Sequence, residues 1–349
     1  MDVRTMRFRK GTKGTPYMIE IVHIGLGPLG QMMVRSAMGR ETFRIVGAVD
    51  SDPAKIGRDL GEFCGLSRLG VPIVGSLDEA IRGKSPQAAV VTTVSSLAVF
   101  EPQVAQLARV QLPIVSTCEE LFYPWRTQPV LAMRIDQVCR DAGIACVGTG
   151  VNPGYLMDFF PTVLTGLCQK VTGVRVWRIQ DASVRRIPFQ QKIGAGLTVQ
   201  EFEARHKAGK LRHVGLPESV DFLAARLGWT LDRTTESLEP VMAERDITSG
   251  YQPIAKGMAR GVQQVGRGFV GDNEVITLTF KAAVGEPESY EEVRIEGEPT
   301  FSSRIAGGVN GDIATCAVTL NAVRSILQAG PGLKTMADLP PLSWFTDSE

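Results

Sequence analysis

Residues Ile19 to Gly30 read I-E-I-V-H-I-G-L-G-P-L-G, a short apolar run that breaks into Gly25-x-Gly27-x-x-Gly30. Ile19 to Ile24 have the character of a buried strand and Gly25 of the tight turn that ends it. Gly27 lets backbone approach a pyrophosphate, and Gly30 lets the following helix pack close to the strand. Pro28 and Leu29 complete the loop, and Gln31 to Met38 form the helix whose first N–H groups would hold phosphate charge. Phe43 to Asp50 (F-R-I-V-G-A-V-D) is a second strand, and its terminal acid stands 20 positions beyond Gly30. An acid there can accept hydrogen bonds from the hydroxyls of a ribose. The stretch therefore predicts a dinucleotide-binding half of the Rossmann type.

The rest of the first 150 residues continues that pattern. Ala88 to Thr93 is an apolar strand ending in hydroxyls, which places Thr92 and Thr93 at the ligand-binding edge of a parallel sheet; capping of the helix from Leu97 is the alternative role for such hydroxyls. Leu112 to Thr117 is the next strand and delivers Cys118-Glu119-Glu120 to the same edge, followed by Leu121-Phe122-Tyr123-Pro124-Trp125. Paired carboxylates among aromatics suit proton exchange, although acids also begin helices for the sake of the dipole. Ile144 to Val147 is a further strand, running into Gly148-Thr149-Gly150-Val151-Asn152-Pro153-Gly154, where Asn152 could offer its amide to a nicotinamide or a substrate. A plain crossover loop is the other reading.

Asp50 followed by Asp52 favours NAD, because two acids stand where a 2′-phosphate would need a cation. Ser51, Lys55 and Arg58 are near enough in sequence to meet a phosphate, which leaves NADP open.

From Tyr155 the periodicity changes. A long apolar helix is expected over Tyr155 to Cys168, then an alternating strand over Gly173 to Gln180. Thr198 and Glu201 form a capping box ahead of a helix, and Pro217 to Leu227 is a helix stopped by Gly228. Alternating stretches at Thr234–Met242, Gly257–Gly266, Glu274–Ala283 and Glu291–Glu298 give a mostly antiparallel sheet, with Val262 to Gly268 read as strand and turn. Ile313 to Leu327 is helical and Gly330-Pro331-Gly332-Leu333 stops it. The fold class is thus α/β, a Rossmann-type parallel sheet domain plus an α+β domain with a mostly antiparallel sheet. The expected division is a flexible basic arm over 1–17, a dinucleotide-binding domain over 18–150, a substrate and dimerisation domain over 151–309, and a C-terminal helix over 310–349 packing back on the first domain. Tyr155, Phe159 and Trp177 are candidates for the walls of an apolar substrate pocket.

With 38 basic and 37 acidic residues the chain has no electrostatic footprint for nucleic acid, and no apolar run approaches the roughly 20 residues of a membrane span. Six scattered cysteines, without a C-x-x-C pair, argue against a disulfide framework and a structural zinc site. They point to a reducing cytoplasm.

Several segments together resemble the 2,4-diaminopentanoate dehydrogenase and native amine dehydrogenase family, whose first domain looks like that of dihydrodipicolinate reductase. They are I-G-L-G-P-L-G at Ile24–Gly30, V-G-A-V-D at Val46–Asp50, S-T-C-E-E-L at Ser116–Leu121 and G-T-G-V-N-P-G-Y at Gly148–Tyr155. H-V-G-L-P-E-S at His213–Ser219 and N-A-V-R-S-I-L-Q-A-G-P-G-L-K-T at Asn321–Thr335 extend the likeness. The resemblance implies reversible NAD(P)H-dependent reductive amination of a small ketone or aldehyde by ammonia, without a metal, in a homodimer. It also implies an essential glutamate, mapping onto Glu119 with Glu120 in reserve. The chain lacks the paired histidines and lysine of dihydrodipicolinate reductase and the G-G-x-K-G-G lysine of glutamate-type dehydrogenases. An ammonia-independent carbonyl or cyclic-imine reductase and a non-catalytic dinucleotide sensor are the competing readings.

Overall fold

A computed structural model describes residues 18–346 apart from positions 186, 210 and 212. The arm expected over 1–17 lies outside the described residues. Contacts divide the chain into two compact units that do not follow it simply. The first takes the described residues through Cys118, Met133–Val147 and those from Thr315 onward; the second takes Glu119–Ala132 and Gly148–Ala314.

The chain opens with β1 (Ile19–Ile24), α1 (Pro28–Met38), β2 (Phe43–Val49), α2 (Leu60–Phe63), β3 (Ile73–Val74) and α3 (Leu77–Ala80). It continues through β4 (Ala88–Val91), α4 (Leu97–Arg109) and β5 (Ile114–Ser116). A 3-10 turn over Glu119–Leu121, α5 (Pro129–Ala142) and β6 (Ala145–Gly148) follow. All four residues of β4 are buried, as expected of a parallel strand covered on both faces.

The middle of the chain begins with α6 (Phe159–Thr165), β7 (Lys170–Asp181), α7 (Ile187–Lys192), α8 (Val199–Lys207) and α9 (Leu216–Arg226). Then come β8 (Arg233–Met242), β9 (Ile247–Thr248), β10 (Pro253–Ile254), β11 (Ala259–Val270), β12 (Asn273–Ala283), β13 (Tyr290–Glu298) and β14 (Phe301–Ala306). Six of these strands form a sheet in the order β14-β13-β7-β12-β11-β8, in which β7 and β12 are parallel and the other pairs antiparallel. Val176, Leu278, Phe280 and Ile295 turn one face of it toward Val220 and Leu223 of α9.

Finally α10 (Gly311–Ile326) leads to β15 (Gly332–Lys334), which pairs parallel with β6 and completes a seven-stranded sheet ordered β15-β6-β5-β4-β1-β2-β3. Reading 3-2-1-4-5-6 from one edge, this is the doubly wound order whose strand sequence reverses between β1 and β4.

Several local expectations are corrected. The helix expected from Tyr155 begins only at Phe159, because the chain turns through 151–158 and Asp158 caps the helix by accepting from the Phe159 amide. Val262 to Gly268 does not turn: β11 runs on to Val270, and the reversal falls at Gly271, whose φ is +58°. The glycines from 330 do not merely end a helix, since Gly332–Lys334 is itself a strand. The hairpin strand β14 was not expected. The capping box of α8 is present, with Thr198 accepting from the Glu201 amide and Glu201 from the Thr198 amide.

Candidate active site

At the reversal between β1 and β4 the first unit carries a cleft of about 780 Å³, lined by the glycine loop, Asp50, Ser51, Lys55, Thr92 and Thr93 among others. Gly25 adopts φ +94°, open to glycine at little cost, and its amide donates to Val49 O at 2.9 Å. A side chain at Gly30 would lie 2.0 Å from the Gly25 carbonyl oxygen, so helix and loop can meet only there as glycine. Gly27, by contrast, has open space around the position of a Cβ. It precedes α1, which starts at Pro28, a residue with no N–H to leave unsatisfied. Backbone amides at a helix start beside an open cleft fit a pyrophosphate.

The polar side chains around the loop are committed. Thr92 Oγ1 donates to Gly25 O at 2.8 Å and Thr93 Oγ1 to Gln103 Oε1 at 2.8 Å, so neither caps α4. His23 is fully buried in β1 with Nε2 3.0 Å from Gly25 O. Burial pushes its pKa down to about 4, so it sits in the strand as a neutral imidazole. Gln103, Gln106 and Arg109 of α4 also line the cleft, and nothing in the apolar spacing of that helix marked them.

In the second unit the chain leaving β5 forms the 3-10 turn that carries the two acids. Its neighbour Cys118 is buried and its thiol donates to Ser95 O at 3.3 Å, so it is a packed strand-end thiol. Glu120 Oε2 accepts from Gln128 Nε2 at 2.8 Å, whereas among the described residues Glu119 makes no side-chain hydrogen bond or ion pair. The turn is pinned to α9. Phe122 and Phe222 lie 5.0 Å apart by ring centroid, Tyr123 meets Phe222 edge-on at 5.8 Å, and Arg126 stands 3.5 Å from Asp221. Burial raises the Asp221 carboxyl to about 6, against the opposing pull of Arg126 and Thr234. Gly148 permits this packing, since a Cβ there would sit 2.7 Å from Leu121 C and Phe122 N.

The loop after β6 is organised by Asp158. Its Oδ2 accepts from the Gly154 amide at 2.9 Å and the Ser219 hydroxyl at 2.7 Å, and Oδ1 from the Phe159 amide at 2.7 Å. Asn152, only 7% exposed, has neither its side-chain nitrogen nor its oxygen hydrogen-bonded among the described residues. A buried carboxamide without partners is uncommon in a folded protein. Tyr155 packs against Phe159 at 5.7 Å and stacks on Phe160 at 6.5 Å. Trp177 does not join them: Val176 and Arg178 point to the α9 side of the sheet, and strand alternation turns Trp177 to the other face.

Beneath α9 lies a polar network that the strand pattern concealed. Arg178 is buried and pairs with Glu291 at 2.8 Å, also donating to Val309 O at 3.3 Å. Gln264 brackets the His213 backbone, accepting from its amide at 2.8 Å and donating to its carbonyl at 2.9 Å. Burial, reinforced by Lys192 and Arg178, pushes His213 down to about 3. The one available signal was an arginine in phase with the apolar Val174 and Val176.

A family model described as the 2,4-diaminopentanoate dehydrogenase C-terminal domain matches residues 155–348. The chain is 30% identical over 339 residues to 2,4-diaminopentanoate dehydrogenase of Acetoanaerobium sticklandii, covering 92% of this chain and 93% of that protein. It is 23% identical to an amine dehydrogenase of Streptomyces virginiae, over 93% of this chain and 96% of that one. The solved structure of an amine dehydrogenase from Mycobacterium smegmatis superposes with a TM-score of 0.81 at 25% identity, covering 94% of this chain and 97% of that chain.

Proposed function

The chain belongs to the 2,4-diaminopentanoate dehydrogenase family, and from that premise we propose that it is an NAD(P)-dependent amine dehydrogenase, interconverting a small ketone or aldehyde and the corresponding amine. A carbonyl compound, ammonium, a reduced nicotinamide cofactor and one proton give the alkylammonium ion, water and the oxidised cofactor. Gly25, Gly27, Pro28, Leu29 and Gly30 hold the pyrophosphate, with Ser51 toward the ribose, Asp50 fixing the loop beside it, and Thr92 and Thr93 at the cleft wall. When bound, the nicotinamide supplies the hydride.

Glu119 is the proton-transfer group. It takes a proton from ammonium to give nucleophilic ammonia, returns one to the departing hydroxyl as water leaves, and offsets the positive charge of the iminium carbon–nitrogen bond. The observation that carries this assignment is the contrast within the pair: Glu120 is held by Gln128, while Glu119 has its carboxylate unengaged among the described residues. Asn152 orients the nicotinamide or the substrate through its unpartnered carboxamide, and Tyr155 and Phe159 give the substrate an apolar wall. We place the enzyme in the cytoplasm as a homodimer, with the sheet face bearing Trp177 covered by the second copy.

The test is ammonium-dependent oxidation of NADH and NADPH with a panel of small ketones and aldehydes. Glu119→Gln lowers the rate about a hundredfold or more, and Glu120→Gln much less. A Glu119→Gln enzyme of near wild-type rate refutes the assignment, and turnover indifferent to ammonium refutes the amination reading in favour of a carbonyl or imine reductase.

A further inference from the structure

Binding a dinucleotide leaves a choice at the adenosine ribose between a 2′-hydroxyl and a 2′-phosphate. An NAD-selective site keeps the acid after its second strand free to accept from the ribose. Here Asp50 is already engaged. Its Oδ2 accepts from the Leu26 amide at 2.7 Å and the Lys55 ammonium at 3.0 Å, and its Oδ1 from the Asp52 amide at 2.9 Å. Burial pushes its pKa up, but the Asp52 amide, Lys55 and the Leu26 amide outweigh that and hold the carboxyl below its usual range. The acid therefore serves the architecture of the loop. It ties the glycine turn to the segment after β2, and little of its accepting capacity is left for a hydroxyl pair.

Lys55 stands beside it with a different freedom. Its ammonium lies 3.0 Å from Asp50 and 3.6 Å from Asp52, its side chain is 20% exposed, and it lines the cleft together with Ser51. Arg109, a second cation on the cleft wall, is committed to both oxygens of Asp78 at 2.8 Å. A lysine on a flexible stem can change partners with little backbone movement. We propose that Lys55 admits a 2′-phosphate, so that the cleft binds NADPH as well as NADH. Its ammonium turns from the Asp50–Asp52 pair to the phosphate, the Ser51 hydroxyl adds a donor, and Asp50 stays fixed by the two amides. This rests on the dinucleotide reading of the cleft and goes beyond it in assigning the discriminating residue.

The experiment titrates the purified full-length chain, without substrate, with NADH and with NADPH, following nicotinamide fluorescence. The readout is the ratio of the two dissociation constants. The wild-type ratio lies within about thirtyfold of unity, and Lys55→Ala shifts it toward NADH by about tenfold or more, the worth of one charge-assisted contact. Lys55→Arg keeps it near the wild-type value. A wild-type preference for NADH beyond about thirtyfold, or a ratio unmoved in Lys55→Ala, overturns the proposal. Binding of neither nucleotide would sink the dinucleotide reading itself, a result distinct from NADH binding alone. Because Lys55 is partly exposed and outside the core, a thermal melt of each variant verifies that the fold is intact.

Discussion

Asp158 offers a sharp test of how the loop after β6 is held. Its carboxylate is fully buried and receives three hydrogen bonds, from the Gly154 amide, the Phe159 amide and the Ser219 hydroxyl. Replacing it by alanine strands those donors, at about 1–3 kcal/mol each. Against this stands the cost of burying the charge, which raises its pKa from 3.8 to about 6. That shift corresponds to about 3 kcal/mol of relief once both states are ionised. Taking about 2 kcal/mol for each of the three donors, the net loss in Asp158→Ala at pH 8 is about 3 kcal/mol.

The sign of the pH dependence follows from the raised pKa. The proton-linked part of its contribution is complete below pH 3.8, is lost as pH rises through about 6, and stays absent above. Asp158→Asn removes the titration, so the stability of wild type relative to Asp158→Asn falls between pH 4 and 7. Urea unfolding followed by tryptophan fluorescence measures this, since Trp125, Trp177 and Trp229 all belong to the second unit. Using the difference between two proteins cancels Asp221, which burial also raises to about 6. A flat difference across that range, or an Asp158→Ala loss below about 1 kcal/mol, refutes the account of Asp158 as a buried, charged clamp.

Gly148→Ala forces a Cβ to within 2.7 Å of the Leu121–Phe122 backbone and displaces the turn that carries Glu119. The amination rate falls about tenfold or more while far-ultraviolet circular dichroism is retained, because about 1 Å of misplacement is costly in a reacting geometry. Arg178→Met leaves Glu291 buried without its cation and destabilises the second unit by about 3–5 kcal/mol in urea unfolding. The double variant Arg178→Met/Glu291→Leu recovers at least half of that loss, the expected behaviour of a pair whose desolvation nearly matches its attraction.

The glycine-loop cleft was the most legible part of the chain. A strand, a tight turn, a helix start and an acid at fixed spacing are local requirements, and local requirements leave residue types at fixed intervals. The same reading misjudged Tyr155 to Cys168, because an apolar run does not reveal that Asp158 will cap the chain internally and delay the helix to Phe159. It also grouped Trp177 with Tyr155 and Phe159, since nearness in sequence cannot tell which face of β7 a side chain will take once neighbouring strands set the register. Arg178 went unmarked for the same reason: its partners Glu291 and Val309 lie far away in sequence.

The sequence by itself determined the classes of element, the glycine loop, the terminal acid of β2 and the Glu119-Glu120 pair, because backbone sterics and side-chain periodicity act over a few residues. Only the tertiary structure decided what those groups are free to do. It spends Asp50 on the Leu26 amide, Thr92 on the Gly25 carbonyl and Glu120 on Gln128, while Asn152 and Glu119 make no side-chain hydrogen bonds among the described residues. A polar side chain's chemistry is set by the partners that reach it, and those partners arrive from elsewhere in the chain.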